Sequence, residues 1–99
     1  MTSPNDALLH ARLNQETARI AWPELMPWFA TGMVIAVSPD LDLIDVAMAV
    51  TRDDTTSVRN WMSSLQVAKV SDEQAREWLG QNVEVWAVVV KPWILVQVK

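Results

Sequence analysis

Arg59 and Asn60 are the neighbouring side chains in this sequence that are best suited to recognise another molecule through paired hydrogen bonds. Arginine can form two hydrogen bonds with the edge of guanine, and asparagine can form two with the edge of adenine. Helical periodicity places Arg59, Asn60 and Ser63 on one outer face of the segment TSVRNWMSSL. The inner face of the same helix is apolar and consists of Val58, Trp61, Met62 and Leu65. The outer face is therefore a candidate interaction surface.

The segment from Asp45 to Ser71 has the pattern of a helix-turn-helix, which places its second helix in the major groove of DNA. The charge of this segment and of the whole chain argues against DNA binding. Asp53 and Asp54 stand directly before the second helix, and the whole chain has a net charge of −4. Nucleic-acid-binding proteins are usually basic, because neutralising phosphates supplies most of their sequence-independent affinity. The sequence therefore favours helix-turn-helix-like packing and argues against nucleic acid as the partner.

Glu16 is a candidate buried carboxylate, because it falls between Leu13 and Ile20 on the apolar stripe of the predicted first helix. A carboxylate that faces a core must be paired, hydrogen-bonded or protonated. One interpretation is an acid, base or recognition group. The other, which we favour, is a structural ion pair that anchors the helix, since such pairs are the commoner setting for an acid near a core.

Few residues of the sequence are suited to metal binding, cofactor binding or catalysis. The chain has no cysteine, a single histidine (His10) and two glycines, which excludes cysteine-based and histidine-pair metal sites as well as glycine-rich phosphate loops. Asp40, Asp42 and Asp45 supply too few oxygen ligands for a calcium loop, and helix capping and solvent explain them. The sequence predicts no catalytic residue, no metal, no cofactor and a non-enzymatic function.

The chain has six tryptophans and no tyrosine. Trp61 and Trp78 lie on apolar helix stripes and are predicted to join the core, as aromatic residues usually do in small proteins. Trp28 and Trp93 follow closely on prolines near the ends of elements, where a ring can be half exposed. Because tryptophan is enriched at protein interfaces, these two join the candidate interaction surface.

The length of 99 residues and the hydrophobic fraction of 51% indicate one globular domain over residues 1–99. The longest uncharged apolar run, VWAVVV, is too short to span a membrane. The N-terminus lacks the pattern of a signal peptide, and the absence of cysteine favours a reducing compartment. The sequence predicts a cytoplasmic protein without membrane contact.

The elements that must position these residues mix helices and strands. A first helix is expected to begin near Ser3 and Pro4 and to run to about Ile20, followed by a short helix that Gly32 ends. The elements that follow are a strand over residues 33–37, a helix ending near Val50, the helix with Arg59, a strand at QVAKV and a helix that Ser71 caps and Gly80 ends.

The last segment, VEVWAVVVKPWILVQVK, is either one bulged strand or two strands. We favour two, because Pro92 cannot donate to a sheet ladder and marks a turn or a bulge. The whole order predicts an α+β fold, in which four to five helices cover a small three- or four-stranded sheet. The paired helices at the centre of the chain are expected to be helix-turn-helix-like, with a winged-helix-like arrangement as one form.

Five blocks of the sequence, in the same order, resemble the bacterial domain-of-unknown-function family 2288. They are ETARIAWPEL, DLDLIDVAMAV, VRNWM, VSDEQAREW and WAVVVKPWILVQ. The similarity runs from about Leu13 to Gln97, and the last block is the most distinctive. The resemblance implies a small bacterial cytoplasmic protein and supplies no catalytic residues.

Acidic charge, missing catalytic groups and abundant tryptophan together favour one function. We expect a non-enzymatic protein-interaction or regulatory module, which binds a protein partner or forms a homodimer. The alternative is a helix-turn-helix nucleic-acid-binding protein that uses Arg59 and Asn60. An enzyme ranks third, with Glu16 as its acid.

Overall fold

The computed structural model describes residues 4–98, and in it five strands form one mixed sheet with helices on both faces. The helices are α1 (Pro4–Glu16), a 3-10 helix (Trp22–Leu25), α2 (Met26–Ala30), α3 (Leu43–Thr51), α4 (Thr55–Ser63) and α5 (Asp72–Gly80). The strands are β1 (Ala18–Ala21), β2 (Val34–Val37), β3 (Val67–Lys69), β4 (Glu84–Val90) and β5 (Trp93–Gln97). No helix within residues 4–98 is long and apolar enough to cross a bilayer.

The strand order across the sheet is β1-β4-β5-β2-β3. The β5–β2 pair is parallel, and the other three pairs are antiparallel. Residues 83–98 thus form two strands, as we favoured, and these strands lie in the middle of the sheet. Their neighbours come from the first half of the chain, so the sheet is completed only when distant segments meet.

Each face of the sheet has its own apolar core, because successive side chains of a strand point to opposite faces. On the front face, strand residues such as Val37 and Leu95 pack against Leu13 of α1 and Val46 of α3. On the back face, strand residues such as Val34 pack against the 3-10 helix, α2 and α5. Helices therefore cover the sheet on both sides, and both faces of the central strand β5 are buried.

Trp22 is the centre of the back core. Its side chain is fully buried, and its indole N–H donates to the backbone oxygen of Ala75 on α5 at 3.1 Å. Its ring meets the ring of Phe29 edge-on at 5.8 Å and that of Trp78 at 4.9 Å between centroids. Trp22 thus joins the 3-10 helix, α2 and α5. Trp61 and Trp78 pack half-buried against the front and back cores respectively.

The predicted α+β fold is confirmed, and the predicted three or four strands are corrected to five. The additional strand is β1, which the sequence pattern assigned to the end of the first helix. That helix ends at Glu16, and the Thr17 hydroxyl donates to the backbone oxygen of Leu13 in its last turn. The chain then turns, and Ala18–Ala21 pairs with β4. The predicted start at Ser3 lies outside the described residues.

A helix-turn-helix-like pair is not confirmed. Helices α3 and α4 do pack together, but α4 leads directly into the edge strand β3 and lies beside the front face of the sheet. A winged helix would project the β4–β5 hairpin as its wing. Here the hairpin is bonded on both sides within the sheet, because β1 and β2 supply partners that the sequence pattern does not reveal.

Helices α3 and α5 begin at side-chain caps that the sequence predicts. Asp42 accepts hydrogen bonds from the backbone of Ile44 and Asp45, and so caps α3. Ser71 and Gln74 form the reciprocal hydrogen bonds of a capping box on α5. Each cap satisfies backbone N–H groups that lack partners in the first turn of a helix.

Helices α2 to α5 all end in a residue with left-handed backbone conformation. These residues are Gly32, Asp53, Leu65 and Asn82, with φ angles of 76°, 59°, 61° and 52°. In each case two backbone hydrogen bonds fold the last turn back on itself, as in a Schellman motif. Gly32 ends its helix as predicted, whereas α5 includes Gly80 and Asn82 takes the left-handed position. Glycine, asparagine and aspartate adopt this conformation at little cost, whereas leucine adopts it only at a higher cost.

Candidate binding cleft

A cleft of about 440 Å³ lies between α4 and the front face of the sheet. Its walls are formed by the end of α3, by α4, and by β2, β3 and β5. Most of its lining is apolar and includes Ile35, Val50, Val58, Met62, Trp93 and Leu95. Four ionisable residues also line it, namely Asp53, Asp54, Arg59 and Lys69. Its volume falls within the range of about 300–1,000 Å³ that is typical of small-molecule sites.

The cleft exists because α4 does not close onto the sheet. No residue of α4 is buried, although one side of this helix is apolar. Val58 and Trp61 are half-buried, and Met62 is 55% exposed. On the opposite wall, Ile35 and Trp93 are also only half-buried. Apolar side chains thus face each other across the cleft without filling it.

Arg59 and Lys69 bring positive charge to this apolar surface. The Lys69 Nζ lies 6.0 Å from the centre of the Trp93 ring, a distance at which a cation and an aromatic face attract each other. Neither Arg59 nor Lys69 takes part in an ion pair within the described part of the chain. Both cations are therefore available to a bound anion.

The acids of the cleft lie at its α3–α4 turn. Asp54 caps α4, where its carboxylate accepts hydrogen bonds from the Ser57 hydroxyl at 2.8 Å and from the Ser57 backbone at 3.2 Å. These hydrogen bonds lower the pKa of Asp54 below its ordinary value of 3.8, and Arg52 adds to the effect. Asp53 precedes it in the left-handed position. Arg59 lies five residues beyond Asp54, or about 7.5 Å along the helix axis.

The apolar surface continues past the cleft along α4. Leu65, which follows the helix, is 82% exposed and keeps a left-handed backbone conformation with a φ of 61°. Outside glycine this conformation is costly, and such strain is found disproportionately at functional sites. Met62 and Leu65 were expected to face inward. Leu65 is exposed because α4 ends at Ser63 and the chain turns back into β3, and Met62 is exposed because α4 does not close onto the sheet.

The structure divides the predicted interaction surface. It brings Arg59 and Trp93 together in the cleft. Asn60 and Ser63 are exposed on α4 but do not line the cleft. Trp28 is 49% exposed and lies on α2. Its neighbours on α2 pack on the back face of the sheet, so Trp28 and Trp93 lie on opposite sides of the sheet.

The prediction that Glu16 is buried is wrong. Its side chain is 53% exposed, and its Oε1 lies 4.0 Å from the Nε of Arg12, one turn earlier in α1. Glu16 is the last residue of the helix, so its carboxylate reaches solvent beyond the point where Leu13 enters the core. An exposed pair of this kind contributes little to stability. The ion pair that joins α1 to another part of the fold is the one between Asp6 and Arg52, which follows α3, and Leu13 is the residue of α1 that is buried in the core.

Of the residues that line the cleft, only Arg59 and Trp93 were predicted to interact with a partner, and Ile35 and Lys69 are two that were missed. Ile35 was assigned only to a strand over residues 33–37, and Lys69 was given no role. In the register of the sheet, Lys69 is paired with Ile35, and Val67 with Val37, so all four side chains face the front. Period-two alternation in QVAKV could have predicted that Lys69 and Val67 share one face of the strand. Only the pairing of the strands brings that face next to Trp93.

The groups that line the cleft are suited to binding a ligand. Within residues 4–98 no three histidine, cysteine, aspartate or glutamate side chains are grouped closely enough to hold a metal ion. The apolar walls can enclose an apolar group, and Arg59 and Lys69 can hold a negative charge next to it. Such a combination, largely apolar with a few polar groups that fix orientation, is typical of ligand sites.

Comparison with known proteins shows which family the chain belongs to. A family model described as "Protein of unknown function (DUF2288)" matches residues 8–98. The chain belongs to this family. It is also similar to the NMR solution structure of PA1075 from Pseudomonas aeruginosa, with 38% sequence identity and a TM-score of 0.82. That similarity covers 100% of this chain and 92% of the other. Curated proteins give no match.

Membership of this family confirms the resemblance that the sequence blocks indicate. Because the family description assigns no function, the cleft is the main guide to what the protein does.

Proposed function

We propose that this protein is a non-enzymatic protein-interaction or regulatory module, and that the cleft beneath α4 is its binding surface. The observation that carries the proposal is that α4 buries none of its residues, so that its apolar side chains face an open, apolar cleft of about 440 Å³. Apolar surface left in contact with water favours association at about 25 cal/mol per Å² covered. A bound apolar group would cover the exposed parts of Val58, Met62 and Trp93.

The alternative, a nucleic-acid-binding protein, has less support. Arg59 lines the apolar cleft, and Asp53 and Asp54 place negative charge at the start of α4. Phosphates would be repelled there. The expected cytoplasmic location stays a prediction.

The proposal is tested with a neutral apolar probe, 1-naphthol, followed by NMR spectroscopy of the full chain. We expect saturable shifts of the signals of Ile35, Val50 and Trp93. Val58→Trp should abolish them, because Val58 is half-buried on the cleft wall and a larger ring there fills the open space. Shifts confined to the back face, or no saturable shift at all, would contradict the proposal.

Asn60→Trp is the matched control. It introduces the same ring two residues along α4, on a side that does not line the cleft, and the three residue types have similar helix propensities. Binding of 1-naphthol should persist in this variant.

A second copy of the chain is one partner that the α4 surface could accept through Met62 and Leu65. Sedimentation equilibrium tests this directly. A dimer that Leu65→Asp dissociates would support the homodimer, whereas a strict monomer at high concentration would remove it and leave the cleft to other partners.

A further inference from the structure

We infer that the cleft takes a small amphipathic carboxylate, with its apolar tail beneath α4 and its carboxylate held by Arg59 and Lys69. This inference rests on the proposed function, because it names the chemical class that the same cleft would bind. A medium-chain fatty acid and an aryl-substituted carboxylic acid are both members of this class.

The walls of the cleft match the tail of such a molecule. Val50 and Val58 line the helical side, and Ile35 and Leu95 line the sheet side. None of these four side chains offers a hydrogen bond, so a polar group at this depth would lose its water without replacement. An apolar chain loses nothing there and is the group that fits.

The charged residues of the cleft favour a ligand with a negatively charged head group. Arg59 and Lys69 are both exposed, and neither has an ion-pair partner in the part of the chain that the structure describes. The carboxylate of Asp54 is occupied, because both of its oxygens accept hydrogen bonds from Ser57. Asp53 lies next to the N-terminus of α4, where the helix dipole offsets its charge. The four charges of the cleft sum to zero, but the two acids lie together at the α3–α4 turn, so a ligand carboxylate farther along α4 can reach Arg59 and Lys69.

A cationic ligand fits less well. In a cleft with an aromatic wall, a cation would be expected to bind over the ring of Trp93. The ammonium group of Lys69 already lies 6.0 Å from the centre of that ring. A ligand cation would therefore have to displace Lys69 or approach it as a like charge.

The test compares three probes with the same eight-carbon tail: octanoate, 1-octanol and octylammonium. Each is titrated into the full chain at low ionic strength and followed by NMR spectroscopy. We expect all saturable shifts of octanoate to lie in the cleft, and octanoate to bind about two- to fivefold more tightly than 1-octanol, which is the gain typical of an exposed charge pair. Octylammonium should bind more weakly than 1-octanol. Added salt should reduce the advantage of octanoate.

Variants of the charged cleft residues test which of them interact with the carboxylate of octanoate. Arg59→Gln and Lys69→Gln should each remove part of the roughly two- to fivefold advantage of octanoate and leave the affinity for 1-octanol unchanged. Asp53→Asn should raise the affinity for octanoate, and asparagine keeps the left-handed backbone that Asp53 adopts. Arg76→Gln, an exposed cation on α5 outside the cleft, is the control and should change neither affinity.

The outcomes separate the two proposals. Equal affinity for octanoate and 1-octanol, both in the cleft, would overturn the carboxylate inference and leave the binding surface standing. Tighter binding of octylammonium would also overturn the inference. If none of the three probes shifts the signals of Ile35, Val50 and Trp93, the inference and the proposed function both fail.

Discussion

Replacing Leu65 with glycine should make the protein more stable, although it removes a large apolar side chain. Leu65 occupies the left-handed position that ends α4, with a φ of 61°. Its backbone N–H donates to the oxygen of Met62 at 3.1 Å, and that of Gln66 donates to Trp61 at 2.8 Å. These two hydrogen bonds hold Leu65 in a conformation that an L-residue with a side chain adopts only at a cost.

The magnitude follows from two opposing terms. Left-handed backbone costs a non-glycine residue roughly 1–2 kcal/mol. Glycine removes that cost but loses about 0.5–1 kcal/mol through its greater freedom in the unfolded chain. Because Leu65 is 82% exposed, its removal forfeits little buried surface. The net gain is about 0–1.5 kcal/mol, and its midpoint of about 0.75 kcal/mol corresponds to a rise in Tm of about 3–6 °C for a chain of this size.

Urea unfolding of Leu65→Gly and Leu65→Ala measures the backbone contribution. Alanine removes the same side chain but keeps the strained conformation, so only the glycine variant should gain stability. Asn82→Gly is a second comparison, and it should gain less, because asparagine already tolerates a φ of 52°. The reasoning is refuted if Leu65→Gly is no more stable than Leu65→Ala. If Leu65 contacts a partner, both variants should lose that binding equally.

Four further outcomes follow from the described contacts. Trp22→Phe should lower the free energy of unfolding by about 2 kcal/mol, since it removes a buried hydrogen bond and leaves a cavity, and urea unfolding measures the loss. Gln97→Leu should cost about 1–3 kcal/mol in the same assay, because the buried amide of Gln97 donates to two backbone oxygens that would lose their partner. Asp54→Ala should lower the urea midpoint at neutral pH, and this difference should shrink in acid. The hydrogen bonds from Ser57 lower the pKa of Asp54, so the stability that it contributes is present above pH 3.8 and is lost as the pH falls through the lowered value. A labelled random DNA duplex should show no salt-sensitive change in fluorescence anisotropy on addition of protein at low salt; binding near 10⁻⁴ to 10⁻⁶ M that Arg59→Glu removes would support the nucleic-acid alternative instead.

Signals that act over a few residues predicted much of the secondary structure. Ser71 and Gln74 lie three residues apart before an apolar run, and they form the capping box that this spacing predicts. Gly32 ends α2, and the two strands on either side of Pro92 pair as a hairpin. In each case neighbours in sequence make the contact, so the sequence contains all the information that the contact requires.

Signals that depend on distant residues were missed or misread. Residues 18–21 form a strand because β4 pairs with them, and nothing within the segment itself reports that partner. Met62 fits the apolar stripe of α4 but is 55% exposed, because periodicity shows which residues share a side of a helix and not whether another element covers that side. Glu16 fits the stripe of α1 but lies where the helix has already passed the core.

The sequence by itself determined the class of fold, the side-chain caps of α3 and α5, the glycine that ends α2, and the family. Only the tertiary structure decided where binding could occur. Trp93 and Arg59 were both candidates, yet they are far apart in the chain, and the parallel pairing of β5 with β2 places Trp93 on the wall opposite α4. The cleft arises from the distance at which α4 packs, and that distance depends on contacts among α3, β3 and the sheet. Such contacts lie outside the range of any local pattern.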